Sequence, residues 1–280
     1  MTSALDGPVF EPFFLPAHRG ERFCIYHPAV GAPRRGVLYI HPFAEEMNKS
    51  RRMAALQSRA LAAEGYAVLQ IDLFGCGDSS GDFGEASWET WQQDVVLGVK
   101  WLCEHVGGNV LLWGLRSGAL LAIDAARHCN PVPEEFVLWQ PVLSGEVLLT
   151  QFLRLRIASE MLSEGSAKIG VTDLRTKLAG GASIEVAGYI LAPQLTVPLD
   201  GLRLTELQPL PKAVQWFEVV PEQGRELSPA ARRVTESWAH RGVQLSIQCV
   251  PGLPFWTTVE NTECPALIAA TTKILSELPR

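Results

Sequence analysis

Short runs of β-branched and aromatic residues alternate along the chain with longer segments in which apolar residues recur every three or four positions. That alternation predicts a mostly parallel β-sheet with helices on both faces. The first clear buried strand is expected at 36–41 (GVLYIH), preceded by an edge hairpin strand at 22–27 (RFCIYH) that begins the sheet. An Ala- and Leu-rich helix follows over 50–64, stopped by Gly65, and then a strand over 66–72 (YAVLQID). Within 87–105, Trp88, Trp91, Val95, Val96, Val99 and Leu102 share one helical face, as packing on a sheet requires. The Trp88, Trp91 and Trp101 stripe is read as core. A strand at 109–113, a helix at 117–128 and a strand at 135–140 complete this part of the pattern.

The pattern changes after Pro141. Residues 144–211 hold a helical piece (EVLLTQFLRLRIASEML), a turn at Gly180 and Gly181, and a stretch punctuated by Pro193 and Pro198. That is too long for an ordinary loop. Sheet alternation resumes beyond it, with a strand at 213–220, a helix at 229–241, a strand at 243–250 and a closing helix at 264–278. The expected organisation is therefore a core formed by 1–143 and 212–280, with 144–211 inserted as a cap.

Composition narrows the class. The 280 residues are 47% hydrophobic and 19% charged, which excludes a disordered chain. With 24 Lys and Arg against 30 Asp and Glu and no basic stretch, nucleic acid is not expected as a partner. The six cysteines show no CxxC pair and no histidine at metal-ligand spacing, so they read as free thiols in a reducing compartment, with no metal and no cofactor. The N-terminus lacks the pattern of a signal peptide, and no apolar run is long enough to cross a bilayer. A cytoplasmic location follows as the expectation, with peripheral attachment to a membrane complex and the oligomeric state left open.

The most informative motif is Trp113-Gly114-Leu115-Arg116-Ser117-Gly118-Ala119, a strand running into a helix through a Gly-x-x-x-Gly turn. Two glycines let the backbone turn sharply and let helix and strand pack closely. In the serine-hydrolase elbow of this geometry the residue midway between the glycines is the nucleophile, and here that residue is Arg116. Together with His-Pro-Phe after a strand, AAEGYAV before the next, and the run DLFGCGDSSG at 72–81, this order resembles the α/β-hydrolase superfamily over most of the chain outside the cap. More narrowly, HPFAEEMNKSRRM and WGLRSGALLA resemble the second hydrolase-like family associated with the exosortase A system, which sorts PEP-CTERM proteins and accompanies exopolysaccharide loci. The resemblance implies an α/β-hydrolase fold with a mostly parallel central sheet flanked by helices and an inserted helical cap.

It also implies ester or thioester hydrolysis by Ser, His and an acid. Arg116 stays protonated and cannot attack a carbonyl. Ser117 lies one residue late and needs a shifted elbow to serve. The general base should follow the last strand, yet 250–256 reads VPGLPFW, and no histidine occurs in the last forty residues; His240 precedes that strand on a helix. Glu222 stands at the acid position. An oxyanion-hole architecture remains, with donors from the backbone of Ser117 and of Phe43 or Ala44, although Pro42 replaces the usual glycine. Arg116 adds a fork suited to carboxylate or phosphate. His41, Glu45 or Glu46 are the candidates to handle protons and activate water.

Each candidate has a plainer reading. Arg116 is equally a salt bridge to Glu45, Glu46 or Glu222 that fills the vacated nucleophile site. His41 is more simply a hydrogen-bonded loop residue. Glu45 and Glu46 are a solvated turn ahead of a helix capped by Asn48 or Ser50. Asp72 and Ser79 fix the turn after their strand, and Cys76 is a small buried thiol. Two functions stay open: a hydrolase or acyl-transfer protein without the Ser-His pair, acting on an ester, thioester or amide; or a non-catalytic module that holds an anionic metabolite, glycan or peptide terminus, or a partner, at Arg116.

Overall fold

The computed structural model describes residues 10–164, 169–207, 211–258, 260 and 262–278. Residues 1–9, read above as no signal peptide, and 208–210 at the end of the expected cap lie outside them.

Two strands not separated in the sequence pattern open the fold, β1 (Glu11–Pro16) and β2 (Glu21–His27), an antiparallel hairpin on the sheet edge. β3 (Arg35–Ile40), α1 (Glu45–Ala63), β4 (Tyr66–Ile71), a 3-10 turn (Phe83–Glu85), α2 (Trp88–Val106), β5 (Val110–Leu115), α3 (Ser117–Ala126) and β6 (Glu135–Trp139) follow in strict alternation. Next come α4 (Gly145–Glu164), α5 (Val171–Ala179), the short hairpin β7 (Ile184–Val186) and β8 (Tyr189–Leu191), and α6 (Pro193–Gly201). The chain closes with β9 (Ala213–Val220), α7 (Pro229–His240), β10 (Gln244–Pro251) and α8 (Pro265–Ser276). The eight-stranded sheet runs β1-β2-β4-β3-β5-β6-β9-β10, parallel from β4 to β10. β2 lies antiparallel to β4.

Both faces of the sheet are covered, and strand alternation explains how. Val37 and Tyr39 of β3 point to the same side as Val68, Leu111 and Trp113, where α1 and α8 supply Met53, Leu61, Leu267 and Leu275. Leu38 and Ile40 point to the other, with Leu112, Val95, Leu120, Trp216 and Trp238. A parallel sheet of this kind reads as continuous apolar runs because each strand is buried twice. Helix α3 is buried over its whole length, and its one charged residue, Asp124, accepts from Trp88 Nε1 and Gln92 Nε2 at 2.7 Å each. Helix α2 is capped by Ser87, whose hydroxyl accepts from the Thr90 amide at 3.0 Å.

Two expectations need correction. Trp88 and Trp91 are core residues, but Trp101 is half-buried at the sheet edge, where it stacks on His105 at 3.6 Å and on Phe13 at 5.0 Å. The second hairpin strand β1 creates that edge. Helix α1 begins at Glu45 instead of 50, capped by neither Asn48 nor Ser50: Ala44 is the N-cap, and the Ser50 hydroxyl instead donates to the Glu46 carbonyl one turn back at 2.7 Å. Glu45 and Glu46 thus sit in the first helical turn, where negative charge meets the helix dipole favourably. Elements α4 to α6 bury Leu153, Leu174, Leu195 and Leu199 in the same core as the sheet and touch its end through Phe152 on Phe43 and Tyr189 on Phe83.

Candidate functional site

The site forms where two neighbouring parallel strands, β3 and β5, each turn abruptly into a helix. The turn residues adopt nearly the same backbone: Ala44 at φ 50, ψ −128, and Arg116 at φ 55, ψ −118. A side chain at such a positive φ carries about 1–3 kcal/mol of strain and persists only where the surroundings impose it. Around Arg116 they do. Its amide donates to the Trp139 carbonyl at 2.9 Å, and its carbonyl accepts from Ala119 and Val142 at 3.1 Å each. The flanking glycines make the turn possible, since a Cβ at Gly114 would lie 2.4 Å from the Ala119 Cα, and one at Gly118 2.2 Å from the Ile40 carbonyl oxygen. The elbow is therefore in place and unshifted, with Arg116 at its apex and Ser117 as the buried first residue of α3.

The apex side chain meets Glu46. Arg116 Nε lies 3.3 Å from Glu46 Oε1, and the guanidinium carbon sits 5.5 Å from the centre of the Trp256 ring. Trp256 follows the last strand, in the stretch where the resemblance places a histidine. Burial pushes the Glu46 carboxyl above its ordinary range, and the nearby Arg116 charge and hydrogen bond pull it back. Its second oxygen, Oε2, is buried without a hydrogen-bond partner. Among the described residues no acceptor engages the two terminal amino groups of Arg116, so only one of its five N–H donors is used. Opening amides of both helices are already taken: Glu46 N donates to the Phe43 carbonyl at 3.2 Å, Met47 N to the Ala44 carbonyl at 3.1 Å and Ala119 N to the Arg116 carbonyl at 3.1 Å.

The remaining candidates are not brought to Arg116. His41 is buried, and both ring nitrogens are committed: Nε2 accepts from the Leu73 amide at 3.1 Å, which places the proton on Nδ1, donating to the Pro42 carbonyl at 2.8 Å. Burial lowers its pKa, so it stays neutral with no lone pair to offer, and the expectation of His41 as a general base is corrected. Glu45 turns outward and accepts from Tyr189 at 3.1 Å and Asn48 at 3.2 Å. Glu222 is exposed and paired with Arg225 at 3.1 Å, so the acid position serves a surface contact. Phe43 is a buried wedge, its ring 5.2 Å from Phe152 and 5.4 Å from Phe83. Asp72 holds its own turn, bonded to Arg51 at 2.8 Å and to Ser79 through its carbonyl at 2.6 Å. Burial raises the Cys76 thiol far above its usual range.

Sequence reasoning assigned no role to Trp256 or Tyr189. The position of Trp256 just after the last strand was a usable signal; nothing local marks Tyr189. Among the described residues no group of His, Cys, Asp and Glu could hold a metal ion, and no helix is long and apolar enough to cross a membrane.

The profile of the family described as Hydrolase_4, Serine aminopeptidase, S33, matches residues 31–182, more than half of the 280. No curated protein matches the chain. Its fold is similar to that of Est1E from Butyrivibrio proteoclasticus, solved with ferulic acid bound (TM-score 0.68, 14% identity, covering 95% of this chain and 98% of that one). It is also similar to XC6422 from Xanthomonas campestris, a serine hydrolase described as lacking a lid (TM-score 0.58, 13% identity, 99% of each chain). A third similar structure is the thioesterase domain from the curacin biosynthetic pathway (TM-score 0.54, 19% identity, 96% and 98%).

Proposed function

Because the chain belongs to the Hydrolase_4 (Serine aminopeptidase, S33) family and has the α/β-hydrolase fold, we propose that its elbow binds an anionic group in place of cleaving an ester. The observation that carries this reading is the apex itself. Arg116 occupies the nucleophile position, uses one N–H on Glu46, and leaves the terminal edge of its guanidinium open. That edge matches a carboxylate or phosphate with two parallel hydrogen bonds. Helix N-termini beside it favour the same charge. Hydrolysis would need a nucleophile hydrogen-bonded to a base. Among the described residues, His41 is consumed by backbone groups and the Ser117 hydroxyl makes no hydrogen bond to a base.

In this reading the segment 144–211 is a cap beside the elbow, tied to α1 by the Tyr189–Glu45 hydrogen bond. The chain is cytoplasmic and acts alongside the exosortase A system as the hydrolase-like component that HPFAEEMNKSRRM and WGLRSGALLA resemble. Est1E, bound to ferulic acid, suggests an aromatic carboxylate as a first probe.

The test is a thermal-shift titration with ferulate and with inorganic phosphate, run beside an assay on p-nitrophenyl esters. Saturable stabilisation lost in Arg116→Ala, with no turnover and no labelling by a fluorophosphonate, is the expected result. Ester turnover abolished by Glu46→Gln would replace the binding reading with the catalytic one, and labelling at Ser117 would do so through a serine.

A further inference from the structure

A second cationic site lies away from the elbow, between the β1–β2 turn and helix α2. It is a cavity of about 320 Å³ whose basic walls are His18, Arg19, Arg22 and Lys100. Ala17, Val96 and Leu97 supply apolar wall beside them. The one acid bordering it, Asp94, is already spent: Oδ1 takes Arg22 Nε at 2.7 Å and Oδ2 takes the Phe74 amide at 2.7 Å.

The positive charge that remains has no counterpart. Arg19 makes no ion pair among the described residues; its guanidinium sits 4.4 Å from the centre of the Phe74 ring, and that of Arg22 sits 4.9 Å from the same ring. Asp94 balances Arg22, so Arg19 carries the guanidinium charge on this ring that has no carboxylate among the described residues. Lys100 has only an exposed, 4.0 Å contact with Glu104, a weak pair. Arg22 is 1% exposed and donates from Nη1 to the carbonyls of Arg19 at 2.7 Å and Glu21 at 3.3 Å. Its Nη2 has no acceptor among the described residues, although Arg22 borders the cavity. That edge of the otherwise buried guanidinium is therefore open to the cavity, where a carboxylate can accept from it.

We propose that this cavity binds an anionic head group carried on an apolar body, with a medium-chain carboxylate as the simplest member of the class. The head group takes Arg22 Nη2, Arg19 and Lys100; Thr90 and Gln93 border the same space. The body lies along Val96 and Leu97.

The test is isothermal titration with sodium octanoate in an Arg116→Ala background, so that elbow binding does not contribute. One saturable site is expected, weakened at least about tenfold when Arg19→Ala and Lys100→Ala are combined. Both side chains are exposed, so the variant should keep its thermal midpoint, whereas Arg22 is left intact because its pair with Asp94 is buried. Retained binding in Arg19→Lys with Lys100→Arg would support the head-group role. Absence of saturable binding, unchanged affinity in the double alanine variant, or equal binding of 1-octanol would each overturn the proposal.

Discussion

Two of the arginine–carboxylate pairs among the described residues have opposite character. Arg22 and Asp94 are sealed, both side chains 2% exposed at 2.7 Å, and both carboxylate oxygens are used. Arg116 and Glu46 are looser, at 3.3 Å with side chains 17% and 19% exposed, and they leave one carboxylate oxygen and most of the guanidinium unpaired. The sealed pair joins β2 to α2 and holds the start of the turn after β4, which is structural work. The loose pair stands at a strained apex, where full satisfaction would leave nothing to offer a ligand. The difference separates an ion pair whose carboxylate is fully used in packing from one whose carboxylate still has an unpaired oxygen.

The sharpest way to expose this contrast is Asp94→Ala. It strands a buried guanidinium and the Phe74 amide, and should cost about 3–5 kcal/mol in urea unfolding. The same pair should register in the pH dependence. Burial, opposed by Arg22 and the Phe74 amide, raises the Asp94 carboxyl from 3.8 to about 6. A raised folded-state value means that the folded protein binds the proton more tightly than the unfolded chain. The stability contribution is therefore complete below about pH 4 and is lost as pH rises through 6. Its span is roughly 3 kcal/mol by linkage. In Asp94→Asn that slope between pH 4 and 6 should disappear, and a slope that persists would assign it to another group.

Glu46→Gln should cost less, about 1–2 kcal/mol, because solvent reaches the pair and screens it. It should also strengthen phosphate binding at the elbow, since the competing carboxylate is gone; weaker phosphate binding would mean that Glu46 positions the arginine more than it competes for it. The smallest effect is at the backbone. Arg116→Gly should be more stable than Arg116→Ala by about 1 kcal/mol, because φ 55 suits glycine and strains alanine. Equal stability would mean that the elbow relaxes once the arginine is removed.

The legible part of this protein is the part governed by neighbours in the chain. Buried parallel strands announce themselves as continuous apolar runs, and the helix 87–105 as a three- and four-residue spacing, so, unlike β1, the parallel strands and most of their covering helices were readable to within about two residues. The start of α1 was not, because no side-chain cap marks it; a positive φ at Ala44 does, and alanine gives no sign of that. Trp101 was misread because its helical face continues past the core to an edge that exists only once β1 folds back on β2.

The elbow divides in the same way. Its apex residue, the glycines around it and the lack of histidine after the last strand are facts of residue order, since the turn depends on five consecutive residues and their steric limits. Which carboxylate meets Arg116 is a different matter. Glu45 and Glu46 are adjacent in the chain, and only the helical rotation between them sends one to Tyr189 and the other to Arg116, 70 residues away. His41 loses its candidacy through a single backbone amide from Leu73, and Trp256 reaches the guanidinium by the return of the chain after β10. Those outcomes belong to the tertiary structure, because side-chain direction and the hydrogen-bonding needs of buried backbone are settled only when strands and helices pack.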